Sequence, residues 1–587
     1  VARAMSAALD DGHEIFLEVS PHPALLSSLQ QCIADRDAAA HALFTLRRDQ
    51  EDRRSVLQAL GALYAHGHPV SWMRLYPSGG RCVPLPSYPW QRERYWLEER
   101  AADPEPEVRP DALESADELL YAIEWHRRPP PAAAAERSPR GAWLLLLDRA
   151  GTGAELAALL EGRGEACVRV VAGERFSRIA ARRYEVNPED RASLLALLDD
   201  AFGDEGACQG VVHLWGLDAG AADGAAPDAL AAASRLGALS ALLLAEALVR
   251  KGWRDAPPLW LVTRGAQAVA EVAPVSVPQA PLWGLGGALS AEHPELRCRR
   301  VDLSKAAAAG DAEALLRELD AADHEERVAL RSGGRYVARL ARVAPAGGAA
   351  SSARFRADGG YLIAAGLEGF GLSLARWMVQ EGARHLVLTG GEGAAEAARG
   401  AIEAMTAAGA EVVVAHADLS QRAQAAEVVA MIEQRFGALR GVVHAAPLAV
   451  LRDDAHDAHD ALAPQDPRRS WATMAAAARG AWNLHALTAD RPLDVFVLRS
   501  SALPLLGAPG DPIAAAGAAF LDALSHHRRS LGLPALCVDW GLLADEASAP
   551  GQDAGAARRA NRGIGLLTEA DALGALGRLS GGAPAQA

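Results

Sequence analysis

Tyr361-Leu-Ile-Ala-Ala-Gly366-Leu-Glu-Gly369-Phe-Gly371-Leu-Ser-Leu-Ala-Arg-Trp-Met-Val-Gln380 joins a short apolar run to an amphipathic stretch through a glycine-rich turn. A strand before such a turn and a helix after it give the opening unit of a dinucleotide-binding fold. Glycines allow the tight bend and let a pyrophosphate approach the free N–H groups of the helix N-terminus. Gly366, Gly369 and Gly371 are the candidate cofactor-binding positions, joined by Asp418 after the third predicted strand, which could hold an adenine amine. Glu368 works against binding. A carboxylate beside a pyrophosphate in a partly desolvated site costs on the order of a few kcal/mol. The next strand runs into Thr389-Gly-Gly391, with no Arg or Lys for a 2′-phosphate.

Outward from this turn, strand and helix patterns alternate. Strands are predicted at 361–364, 386–389, 412–415, 442–445, 495–498 and 535–539, and helices at 370–380, 394–408, 421–436, 471–488 and 514–528. Upstream, the apolar runs 143–147, 168–171, 211–215 and 259–262 are also separated by helical windows. Such alternation implies a mostly parallel sheet covered by helices. Gly210-Val-Val-His213 is echoed by Gly441-Val-Val-His444, which suggests two related halves separated by the Ala/Gly-rich stretch 344–353. Residues 1–50 read as helix, strand (Glu14 to Val19), Pro-rich turn and helix. A helix, an aromatic Pro-punctuated tail and a charged segment at 101–110 follow.

The chain has 587 residues and a formal charge of −15, with Lys only at Lys251 and Lys305. That length requires several cores. The acidic balance and lack of a basic run argue against nucleic acid and anionic membrane surfaces. Cys32, Cys82, Cys167, Cys208, Cys298 and Cys537 form no Cys-x-x-Cys pair, which fits a reducing cytoplasm and no metal centre. No uninterrupted apolar run reaches the ~18 residues of a membrane span. Val1 to His13 reads as an amphipathic helix, so the chain is expected to begin inside a domain.

Ketone reduction by a nicotinamide needs a proton for the developing alkoxide. In a short-chain-dehydrogenase-like site Tyr supplies it, Lys lowers the Tyr pKa, and Ser holds the carbonyl oxygen. No Tyr follows Tyr361 and no Lys follows Lys305. Ser501, in Leu498-Arg-Ser-Ser501, is the one candidate catalytic group left, and a lone hydroxyl is too weak an acid for the task. It lacks the G-x-S-x-G elbow of a nucleophile served by His444, His485 or His526. His526-His-Arg-Arg529 reads as a solvated helix face. The group Asp453, Asp454, His456, Asp457, His459 and Asp460 matches no metal-ligand spacing and reads as a polar loop.

These landmarks together resemble a modular type I polyketide synthase. Phe16-Leu-Glu-Val-Ser-Pro-His-Pro23 is similar to the C-terminal end of an acyltransferase domain, and Leu85-Pro-Ser-Tyr-Pro-Trp-Gln-Arg-Glu-Arg-Tyr-Trp96 to the linker that follows it. Gln279-Ala-Pro-Leu-Trp-Gly-Leu-Gly286 and Glu292-His-Pro-Glu-Leu-Arg297 resemble the structural subdomain of a ketoreductase. Gly480-Ala-Trp-Asn-Leu-His485, Leu506-Gly-Ala-Pro-Gly510, Phe520-Leu-Asp522 and Val538-Asp-Trp-Gly541 resemble its catalytic subdomain. Carried over position by position, the family Ser falls on Ser501, its Tyr on Ala514, its Asn on Ala518 and its Lys on Ala477. The Thr-Gly of its nucleotide turn falls on Ala364-Ala365, its next Gly on Glu368, its phosphate-binding Arg on Gly391, and a later Gly on Pro447.

The resemblance implies an α/β chain of two Rossmann-like subdomains preceded by a small α+β tail. Its expected parts are an acyltransferase end at 1–50, a linker at 51–114, a truncated structural subdomain at 115–345 and a catalytic-type subdomain at 354–587, cut short at its end. It implies a domain of the non-reducing kind, acting as a scaffold with no cofactor, or with NADPH if binding is retained. The alternatives are a non-redox epimerase of an α-substituted β-ketoacyl group and an active NADPH-dependent reductase. The implied partners are an acyl carrier protein bearing a phosphopantetheine-linked β-ketoacyl chain and the neighbouring ketosynthase and acyltransferase domains, in the cytoplasm.

Overall fold

The computed structural model describes residues 1–76, 120–129, 141–203, 208–219, 227–269, 274–321, 323, 325–343, 355–391, 393–446, 467–502, 505–506, 512–543, 566–579 and 585–587. The aromatic tail, the charged linker, the 344–353 stretch, the Asp453–Asp460 group, Pro447 and Gly507–Gly510 lie outside these residues. The chain forms two units, Val1–Pro104 and Glu105–Ala587.

In the first unit, strands β1 (Ile15–Glu18) and β2 (His41–Phe44) pair in parallel. Helices Ala2–Asp10, Leu26–Ala34 and Asp52–Ala65 surround the pair in sequence. The Pro-rich turn is held by Glu18, whose carboxylate accepts the N–H groups of Ala24 (2.9 Å) and Leu25 (3.1 Å).

The second unit contains two sheets. The first is built from β3 (Tyr121–Arg127), β4 (Ala142–Leu146), β5 (Ala166–Ala172), β6 (Ser177–Ala180), β7 (Arg183–Val186), β8 (Cys208–His213), β9 (Leu259–Arg264), β10 (Arg299–Leu303), β11 (Arg327–Arg331) and β12 (Gly334–Arg342). Their order is β3-β12-β11-β10-β9-β8-β4-β5-β7-β6. The second sheet comprises β13 (Gly360–Ala364), β14 (His385–Thr389), β15 (Glu411–Ala415), β16 (Leu439–His444), β17 (Val495–Ser501) and β18 (Leu536–Trp540), in the order β15-β14-β13-β16-β17-β18. All its pairs are parallel.

Counted from its own first strand, the second sheet runs 3-2-1-4-5-6, the Rossmann order. The run β7-β5-β4-β8-β9-β10 repeats that order in the first half, again with parallel pairs. The doubled Gly-Val-Val-His therefore marks the same strand in two related sheets. In the first half β6, β11 and the antiparallel pair β12 and β3 extend the sheet to ten strands.

Central parallel strands are covered on both faces, so they must be apolar throughout. All five residues of β13 are buried, as are all of β4 except Ala142. Helix α1 (Pro281–Glu292) of the first half packs on helix α4 (Pro512–Ser530) of the second so closely that a Cβ on Gly284 would lie 1.8 Å from the Ala515 carbonyl oxygen. Helices α2 (Gly369–Gln380) and α3 (Pro467–Thr488) complete the surroundings of the site.

Among the described residues one helix, Ala232–Lys251, is long and apolar enough to cross a membrane, although its apolar residues are not contiguous in sequence. Of its most apolar window, 72% is buried inside the protein, as expected of a core helix.

Candidate functional site

The turn from β13 into α2 is tight. Ala365 sits in the left-handed region at φ 56° and Gly369 at φ 47°. A Cβ on Gly371 would come within 2.2 Å of the Ala365 carbonyl oxygen, so only glycine fits there. The turn is tied to the end of β14, where Ala365 N–H donates to Thr389 Oγ1 (3.3 Å) and Gly366 N–H to the Thr389 carbonyl (2.9 Å). Ala365 thus holds a left-handed conformation that costs a β-carbon residue about 1–2 kcal/mol.

Glu368 is the N-cap of α2, with extended backbone (φ −138°, ψ 155°), an exposed side chain and no capping bond from its carboxylate. A negative charge there already complements the partial positive charge of the helix N-terminus, the feature an anionic ligand would use. Gly391 faces open space, so nothing but its own lack of a side chain removes a cation from that position. Asp418 is exposed and engaged in its own loop. It accepts the Ser420 N–H at 2.9 Å, and its backbone N–H donates to Gln424 Oε1 at 2.8 Å. Partial burial works to raise its pKa, but the Ser420 and Gln421 bonds win and hold it below the usual carboxylate range.

The four positions expected to carry chemistry are distributed over three elements. Ser501 ends β17, opposite Trp540 of β18. Ala514 and Ala518 stand one turn apart on α4, and Ser500 Oγ donates to the Ala518 carbonyl at 3.4 Å. Ala477 lies on α3, where its backbone is hydrogen-bonded to the ring of His444 at the end of β16. Ser501 and Ala518 line one cleft that is partly open to solvent. Ala477, Ala514 and Ala518 each present only a methyl group. The histidines near this region are engaged elsewhere. His444 bonds to the Ala477 backbone, and burial pushes its pKa down to about 4. His485 Nδ1 meets Arg528 Nη1 at 3.2 Å, and His526 Nε2 meets Gln586 Oε1 at 3.4 Å.

Two features differ from the sequence reading. The run His526–Arg529 is only partly a solvated face: Arg529 is exposed, but His527 is 2% and Arg528 0% exposed. Arg528 lies over the Phe496 ring at 3.7 Å and donates to the Pro534 carbonyl (3.1 Å) and Thr488 Oγ1 (3.3 Å). The second feature is an acid cluster that sequence reasoning missed. Asp522, Cys537 and Asp539 bring donor atoms within 4.8 Å of one another, the one such group among the described residues. Burial first, then the neighbouring Asp539 carboxyl, raises the Asp522 pKa well above the usual range. The two carboxyls are hydrogen-bonded to each other, which requires a proton between them. Cys537 Sγ donates to Asp522 at 3.2 Å and Gln586 Nε2 to Asp539 at 2.7 Å. The nearest sequence signal was Phe520-Leu-Asp522 and Val538-Asp539, which carried no assigned role.

Comparison with known proteins agrees with this geometry. A family described as "KR domain" matches residues 359–545. One described as "Polyketide synthase extender module SpnB, Rossmann fold domain" matches residues 123–340. The chain is 33% identical to polyketide synthase GfsA of Streptomyces halstedii over 92% of its length, which is 7% of that relative. It is 31% identical to erythronolide synthase EryA3 of Saccharopolyspora erythraea over 95% of its length, 15% of that relative. It therefore spans a small part of these curated relatives. Among solved structures it is similar to an A1-type ketoreductase, with 32% identity and a TM-score of 0.66, covering 80% of this chain and 92% of that one. It is also similar to a C2-type ketoreductase from a modular polyketide synthase, with 29% identity and a TM-score of 0.63, covering 79% and 93%.

Proposed function

The chain belongs to the modular type I polyketide synthases and carries a ketoreductase domain, and we propose that this domain is reductively silent. The observation that carries this reading is the set Ala477, Ala514 and Ala518 on a site whose backbone is otherwise kept. A β-keto group bound there meets Ser501, which can accept or donate one hydrogen bond. It meets no tyrosine to deliver a proton and no lysine to acidify one.

NADPH does not fit the turn. Its pyrophosphate would meet the Glu368 charge at the N-terminus of α2, and its 2′-phosphate would find Gly391 in place of a guanidinium. No step is therefore assigned to the cofactor. The domain acts as a scaffold that leaves the β-keto group intact, packs within its module and helps place the carrier protein with its phosphopantetheine-linked chain. Residues 1–50 then serve as the end of the acyltransferase and 51–114 as the linker. Neighbouring ketosynthase and acyltransferase domains complete the module. The cytoplasm is the compartment that the free cysteines among the described residues, four of five buried, support.

Calorimetric titration of the chain with NADPH tests the reading. No saturable heat is expected. Saturable binding would overturn the loss of the cofactor site and favour the epimerase reading, which retains the nucleotide.

A further inference from the structure

We propose that the Arg499 side chain fills the nicotinamide end of the nucleotide crevice, a plug separate from the obstacles at Glu368 and Gly391. The inference deepens the silent-domain reading and rests on its assignment of the β13–α2 turn to a nucleotide. In this sheet the strand order reverses between β13 and β16, and a dinucleotide lies across the crevice beyond the carboxyl ends of the strands at such a point. Each three-strand half takes one nucleotide. The β13-β14-β15 half holds the turn, with Gly391 after β14 and Asp418 after β15, the positions read for pyrophosphate and adenosine. The nicotinamide is left with the ends of β16, β17 and β18.

Strand alternation delivers Arg499 to that place. Successive side chains of β17 face opposite sides of the sheet. Phe496 and Leu498 pack in one core, whereas Val495 and Val497 pack in the other, with Phe370 and Leu374 of α2. Arg499 continues the second row, so it emerges on the face covered by α2, the helix that the glycine turn opens.

There the guanidinium joins the two walls of the crevice. It lies 5.9 Å from the centre of the Phe370 ring, in the first turn of α2, within cation–π range. Its Nη1 donates to the Ala445 carbonyl, just past the end of β16, at 3.5 Å. Ala445 N–H still donates to the Ala364 carbonyl at 3.0 Å, so this carbonyl stands at the mouth between β13 and β16. Phe370 is also braced by the Trp540 ring at the end of β18, with centroids 5.2 Å apart. Arg499 is half-buried and its Nε is closed off from solvent. A nicotinamide ring would have to displace this side chain. The adenosine half is untouched, so NADPH at a repaired turn would be held by that half alone.

The test is fluorescence titration of the whole chain with dihydronicotinamide riboside. This neutral probe carries neither the pyrophosphate opposed by Glu368 nor the 2′-phosphate that Gly391 leaves unheld, so its binding reads the plug alone. Failure of the silent-domain reading shows instead as NADPH binding to the native chain. Arg499→Ala and Arg499→Ser open the space, and Arg499→Met keeps it filled without the charge. The opened variants are expected to bind the riboside saturably with a Kd of about 1 mM or below, and the native chain and Arg499→Met to show no saturation up to about 10 mM. Saturable binding by the native chain overturns the proposal whether or not the variants fold. So does absence of saturable binding by a folded opened variant, or binding by Arg499→Met equal to that of Arg499→Ala.

Discussion

The ring of His444, at the end of β16, is hydrogen-bonded to the backbone of Ala477 on α3. The sheet thus grips α3 at the residue on which the proposed reading places the family's lysine. This contact needs no side chain from Ala477.

Burial of that ring makes stability depend on pH, with the Ala477 bond opposing the shift. An unfolded His444 takes up a proton near its ordinary pKa of 6.5, the folded ring only near 4. Between those values the unfolded state binds more protons, so stability falls as pH drops through that window, by about 1.4 kcal/mol per pH unit for this ring. His444→Gln should remove this contribution. Denaturant unfolding at pH 6.5 and 4.5 is expected to show a shallower loss in the variant than in the native protein.

Asp522 acts in the opposite sense. Its folded pKa is raised by burial and by Asp539, so its contribution is complete below pH 3.8 and is lost as pH rises toward the folded value. Asp522→Asn is neutral throughout. Relative to the native protein, the variant is expected to gain stability between pH 4 and pH 8, read from urea midpoints at each pH.

Close packing of α1 on α4 sets another limit. A Cβ on Gly284 would meet Ala515 O at 1.8 Å and Ala516 N at 3.0 Å, both backbone atoms that cannot swing aside. Gly284→Ala should destabilise the second unit by about 1–3 kcal/mol or more, seen as a lower urea midpoint.

Introducing the family's side chains tests the two parts of the silent-domain proposal separately. The triple variant Ala477→Lys, Ala514→Tyr, Ala518→Asn is expected to bind no NADPH, because Glu368 and Gly391 remain. Adding Ala365→Gly, Glu368→Gly and Gly391→Arg should produce saturable NADPH binding by calorimetry. Binding by the triple variant alone would show that the nucleotide turn is intact.

The sequence made the strands legible wherever burial on both faces forces a continuous apolar run, as in 361–364 and 386–389. It also made the β13-turn-α2 unit legible, because only glycine tolerates the approach of position 371 to Ala365. The observed helix at 394–408 divides at Ala398 into Ala394–Ala397 and Arg399–Ala407, a break with no proline or other obvious signal. The burial of Arg528 was not legible. A charged run on a helix reads as surface, whereas here the guanidinium stacks on Phe496 and donates to the Pro534 carbonyl and to Thr488, forty residues upstream. The Asp522–Asp539 pair was hidden for the same reason: a helix and a strand deliver its members to one point.

The most direct test of the silent-domain reading is turnover. The chain is incubated with NADPH and a β-ketoacyl thioester, and the thioester is followed by mass spectrometry. The account predicts recovery of unreduced β-ketoacyl thioester with no chain-dependent oxidation of NADPH. A β-hydroxyacyl product that gains two mass units and disappears in Ser501→Ala would contradict it.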